Sequence, residues 1–266
     1  MNIYIKEMKS SVKSLLIWCL VMIAFVASSM GKYAASSSIS GQSLNDMISK
    51  MPDALKSMFG SGNFDLSKAI GFYGAMFIYI VLMAALHASL IGSNILSKEE
   101  DDKTAEFLMS KPVPRANVIT SKLFAALTNI IIFNAVTFIS SLYFVGYYSK
   151  GENISGDVLK LMLGVFALQL IYVSLGLYFS GFLKNPRLSS PITIGVMLAT
   201  YILSLAIDID SHLSRLKYLT PFKYFDAKNL MNGKGFEIIY VVISALIVVF
   251  CIGGTYVFYQ KRDLKI

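Results

Sequence analysis

Charged residues avoid six long stretches of this chain, and that avoidance limits its fold more than any motif does. Counting Asp, Glu, Lys and Arg as charged, the free runs are 14–31, 69–97, 123–149, 161–183, 188–207 and 238–260. They hold 18, 29, 27, 23, 20 and 23 residues, so all 40 charged side chains lie in the other 126 positions of the 266-residue chain. A helix of roughly 20 apolar residues crosses the hydrocarbon core of a bilayer, and one charge at its centre costs at least about 2.5–3.5 kcal/mol. A soluble α/β core also has apolar runs, but turns and charges interrupt them at shorter intervals. The fold class that follows is an all-α integral membrane protein, a six-transmembrane-helix bundle in a single domain. Its spans are placed near 14–31, 72–96, 123–147, 161–183, 189–208 and 238–259. The first run could be a signal-peptide core, but Ser28-Ser29-Met30-Gly31-Lys32 is a poor cleavage site and five spans follow. It is read as a retained helix.

Six spans put both ends of the chain on one side. Lys6, Lys9 and Lys13 precede the first span, and Lys261, Arg262 and Lys265 follow the last. The positive-inside rule makes that side cytoplasmic, although Lys and Arg divide 13 inside to 11 outside. The expectation is a multi-pass protein of the cell membrane, bacterial, with both termini cytoplasmic. The net charge of +8 is spread over every loop, where basic residues snorkel toward headgroups, so nucleic acid is not a partner. Cys19 and Cys251 fall inside spans and are read as buried thiols.

Two outer segments, 32–70 and 209–236, have patterns of their own. Over 43–59, Leu44, Met47, Ile48, Met51, Leu55, Met58 and Phe59 recur at helical spacing. A helix in the outer headgroup layer is favoured over a lid, with Pro52 breaking it midway. Over 211–230, Leu213, Leu216, Leu219, Phe222 and Phe225 recur every three residues, interrupted by Pro221. A surface helix and a re-entrant hairpin both fit.

Several chemistries lack their residues. Gly31-Lys32 and Gly233-Lys234 have neither the upstream glycine nor the following Ser or Thr of a phosphate loop. His87 and His212 are the only histidines and make no metal-ligand pair; His87, inside span 2, is expected to hydrogen-bond a neighbouring helix. The spans hold no Asp or Glu except Asp208 at an outer edge, which disfavours ion-coupled carriers and an aspartyl protease. No catalytic, cofactor or metal residue is assigned.

The most distinctive stretch is the first cytoplasmic loop, 97–122. Ser97 with Glu100 fits a capping box, and Glu99, Glu100, Asp101 and Asp102 suit a helix N-terminus. After Lys103, the residues Thr104, Ala105, Glu106, Phe107 and Leu108, on to Ser110, can make about two helical turns with Phe107 and Leu108 as an apolar tip, and Pro112 and Pro114 stop the helix before Arg115. A short helix with an apolar tip and a charged rim suits docking; a solvated connector fits equally well on physical grounds.

The block Glu99 to Arg115 resembles the loop between spans 2 and 3 of the ABC-2 type permease family, with its acidic residue, Thr-x-Glu-Phe-Leu-like stretch and Pro-Val-x-Arg. The matching positions are Glu99 or Glu100, Thr104, Glu106, Phe107, Leu108, Pro112, Val113 and Arg115. Lys103 stands where members often have Gly. Thr220-Pro221-Phe222 before the last span and the terminal Lys261-Arg262-Asp263-Leu264 agree as well. The resemblance implies an exporter permease driven by a separate ATPase subunit, which would bind the ATP and Mg; this chain would hold no cofactor. It implies that Glu99–Leu108 dock on that subunit as a coupling helix, that Pro112–Arg115 transmit its motion, and that two permease chains pair as a homo- or heterodimer. It also implies that 2–13 lie along the inner surface before span 1. The cargo would be apolar or amphipathic. A stand-alone carrier or channel, and a membrane-embedded enzyme, are the competing readings.

Overall fold

The computed structural model describes residues 3–39, 64–101, 113–149, 151–231 and 235–261. Six of its helices are long and apolar enough to cross a membrane: α1 (Ile3–Ile39), α2 (Ala69–Asp101), α3 (Arg115–Tyr148), α4 (Ser155–Phe182), α5 (Ser189–Ile209) and α6 (Ile238–Lys261). No strand occurs among the described residues. The outer segment 43–59 and loop residues 102–112 lie outside them.

Several helices outrun the charge-free runs. At 1.5 Å per residue, the 37 residues of α1 reach about 55 Å, against a hydrocarbon thickness of about 30 Å. The stretch from Ile3 to Lys13 is therefore not a separate surface helix; it continues straight into the span and runs beside α3. The Tyr4 and Thr128 hydroxyls are 3.1 Å apart, and the Asn129 amide is 3.4 Å from Met8 Sδ. Near the other end of α1, the Tyr33 ring meets Tyr148 edge-on at 6.5 Å and lies 5.6 Å from the Phe72 ring. α1 and α3 therefore run parallel and pack directly on each other, with α2 antiparallel alongside both.

α4 is the central helix, packed against α2, α6, α3 and α5. Its crossing with α2 brings backbone onto backbone. A Cβ on Gly92 would lie 2.3 Å from the Val173 carbonyl oxygen, and one on Gly176 would lie 2.5 Å from the Ser93 amide. Close approach of this kind is how membrane helices gain contact without a hydrophobic drive between them. Polar side chains then tie the spans together: Gln169 accepts from Asn134 of α3 and donates to the Ala84 carbonyl of α2 at 3.1 Å. Tyr73 donates to Ser141 at 2.8 Å, and the Tyr172 and Thr200 hydroxyls are 2.7 Å apart. Cys19 and Cys251 are buried free thiols.

The segment after α5 is neither a surface helix nor a single hairpin. It forms 3₁₀ turns at Ser211–Leu219 and Pro221–Lys223 and one α-turn at Ala227–Met231. The three-residue recurrence of Leu213, Leu216 and Leu219 matches the 3₁₀ period of 3.0. This segment caps the far end of the bundle. Phe222 packs between Tyr172 and Tyr201 at 5.6 and 5.3 Å, and Tyr224 stacks on Tyr240 at 5.0 Å. Burial, and then Tyr240 beside it, push the Tyr224 hydroxyl above its usual pKa. Gly71 and Gly74 also serve this end: they admit the chain at Asp65 and the Phe64 ring, not another span.

Candidate functional site

Residues 3–14, 97–101, 113–122, 184–189 and 259–261 gather at the opposite end, which carries both termini. The centre of that end is Lys122, whose side chain is 0% exposed. Its ammonium donates to both carboxylate oxygens of Glu99, at 2.7 and 2.6 Å, and to the Ile95 carbonyl. Glu7 of α1 lies 3.3 Å away. A buried ammonium is tolerated only when paired and hydrogen-bonded, and removing one partner of such a pair costs about 3–5 kcal/mol. The cluster therefore fastens α1, α2 and α3 at one point.

Two further contacts extend it. Arg187, in the turn between α4 and α5, lies 3.2 Å from Asp101. Arg115 Nη1 donates to the Gln260 carbonyl at 3.1 Å and reaches the Tyr259 carbonyl at 3.5 Å, at the C-terminal end of α6. Cations at a helix C-terminus are favoured by the carbonyls left there without intrahelical donors.

Of the loop residues singled out in the sequence, Glu99, Glu100, Asp101, Pro114 and Arg115 are described; Asp102, Lys103, Thr104, Ala105, Glu106, Phe107, Leu108 and Pro112 fall outside the described residues. Ser97 is not a helix cap. α2 continues unbroken through it to Asp101, and its hydroxyl donates back to the Ser93 carbonyl at 2.7 Å. The apolar packing that carries α2 past the membrane core outweighs the local capping option. Glu99 and Glu100 face inward, 6% and 8% exposed, rather than forming an acidic rim. α3 starts at Arg115, directly after Pro114.

Sequence reasoning missed Lys122, Glu7 and Arg187 as members of this site. One signal was available: Glu99 and Lys122 are opposite charges flanking the adjacent ends of consecutive spans. His87 also differs from expectation. Among the described residues neither of its ring nitrogens has a hydrogen-bonding partner. The ring stacks on Phe133 at 4.4 Å and meets Trp18 edge-on at 5.5 Å. No cluster of three or more His, Cys, Asp or Glu able to hold a metal occurs among the described residues.

A family model described as ABC-2 family transporter protein matches residues 1–264. No curated protein matches the chain at a significant level. The match spans all six helices and the loop that joins α2 to α3, the same region whose motif resembled this family. Membership implies an ABC ATPase subunit as partner. Six membrane-crossing helices, a charged cluster tying them at one end, and a family match along nearly the whole chain lead to one conclusion: this protein belongs to the ABC-2 transporter family and is a membrane-spanning permease of an ABC transporter.

Proposed function

We propose that the chain is the permease of an exporter, moving an apolar or amphipathic substrate out of the cytoplasm or inner leaflet, and that the loop joining α2 to α3 is where its ATPase docks. The termini-bearing end is then cytoplasmic. One observation carries this reading: both feet of the loop are tied to every other element at that end. Glu99 and Lys122 join its two feet and reach α1 through Glu7. Asp101 holds the α4–α5 turn through Arg187, and Arg115 holds the end of α6. A push on the loop is thus delivered to all six spans, which is what converting ATPase closure into alternating access requires. The loop acts through differential contact, with ATP and Mg bound in the partner and a second permease chain completing the path.

Co-expression with the ATPase encoded beside it tests the reading. The native chain should co-purify with that ATPase. Replacing Phe107→Asp and Leu108→Asp together should abolish the association, since charge at the anchor of an interface removes its buried apolar contact. Association unaffected by the double substitution would make the loop a connector. Transport by the chain without any ATPase would instead favour a stand-alone carrier or channel.

A further inference from the structure

A cavity of about 250 Å³ lies between α1, α2 and α3. It runs from Glu7 and Lys98 near the helix ends to His87, eleven residues and about 16 Å further along α2. Its inner part is built by Trp18, His87 and Asn129, which the proposed docking mechanism does not use. His87 and Asn129 are each 1% exposed. The Asn129 amide nitrogen donates to the Ala125 carbonyl at 2.8 Å, while its Oδ1 has no donor among the described residues; neither nitrogen of His87 is bonded there either. Buried polar groups are nearly always satisfied by protein, water or ligand. Here three such atoms belong to two residues that line one cavity, and the described residues supply none of the missing partners.

The lining states what would fit. A neutral imidazole offers one N–H donor and one acceptor, and Asn129 Oδ1 accepts, so the occupant must both donate and accept. Its head is uncharged: among the described residues the only charged side chains lining the cavity are Glu7 and Lys98, of opposite sign, and both lie near the helix ends. Trp18, Leu90 and Ile91 add an apolar wall. We infer that this cavity binds the uncharged, hydroxyl- or amide-bearing head of an amphipathic molecule, with His87 and Asn129 as its recognition groups. Such a head can come from a soluble single-chain amphiphile or from a neutral double-chain lipid. Every residue belongs to this chain, so the site is independent of ATPase docking.

Trp18 is the only tryptophan in the chain and lines the cavity, so its emission reports the occupant. The full chain would be placed in nanodiscs of unbrominated phosphatidylcholine and titrated with a 1-alkylglycerol brominated on its chain. A parallel arm uses brominated diacylglycerol. Saturable quenching is expected in at least one arm, and the arm that gives it identifies the source. His87→Phe keeps an aromatic ring against Phe133 and removes both nitrogens, and should weaken binding about tenfold or more. Ala125→Leu keeps the polar groups but fills the space, and should abolish saturable quenching. Both variants are checked for a native elution profile first. Equal quenching of the native chain and either variant would overturn the proposal. So would equal quenching by brominated phosphatidylcholine, or quenching by aqueous acrylamide alone, which would make the cavity a hydrated notch.

Discussion

The two ends of the bundle are held by different physics. At the termini-bearing end, the joints are directional and charged: Lys122 with Glu99 and Glu7, Arg187 with Asp101, Arg115 with the α6 carbonyls. At the far end, rings and backbones interdigitate: Phe222 against Tyr172 and Tyr201, Tyr224 on Tyr240, Phe225 on Phe236. Ion pairs also occur there, but Lys68–Glu152 is more than half exposed on the lysine side, and Lys223 pairs with Asp208 at the edge of α5. Packed aromatic contacts weaken over a few tenths of an ångström and resist sliding. Charged joints at helix ends can hold or release as discrete contacts. One end is thus held by discrete charged contacts and the other by a packed cap, a difference in keeping with the proposed docking at the loop.

The comparison can be broken most sharply at Lys122. Lys122→Met should destabilise the detergent-solubilised chain by about 3–5 kcal/mol, because Glu7 and Glu99 stay buried without their cation. Thermal unfolding would register it, and Lys122→Met with Glu99→Leu should recover part of the loss, since Glu7 alone then stays buried without its cation. Equal destabilisation by the single and double variants would mean that shape, not charge, holds this end. Phe222→Ala comes next, at about 3 kcal/mol for a buried ring; added salt should not alter that loss in the same unfolding experiment. Smallest is Arg187→Ala. That pair is 76% exposed on the arginine side, so about 0–1 kcal/mol is expected, diminishing with salt. A large effect there would make the α4–α5 turn a structural anchor and blur the contrast between the ends.

How much of this was legible depends on what each signal measures. Charge-free runs report the thickness of the hydrocarbon, so they located six spans, yet they could not report helix length. Lys6, Lys9 and Lys13 ended the first run at position 14, although α1 begins at Ile3. Ser97 and Glu100 satisfied a local capping pattern, but tertiary packing carried α2 through them. The Glu99–Lys122 pair spans 23 positions and has no local spacing to betray it. The α2–α4 crossing left a trace in the sequence. Ala84, Ala88 and Gly92 recur every four residues, beside Ala85, Ser89, Ser93 and Ser97 at the same interval. That small-residue face marks the crossing, where Gly92 meets the Val173 backbone.

The position of Lys122 along the chain has a bearing on biogenesis. Both carboxylates that neutralise it, Glu7 and Glu99, precede it in the sequence. Synthesis runs from the N-terminus at about 5–20 residues per second, so α1 and α2 leave the ribosome before the lysine does. When α3 joins the growing bundle, its cation meets acids already made. A rearranged gene that encoded α3 first would reverse that order and leave the lysine without either acid during insertion.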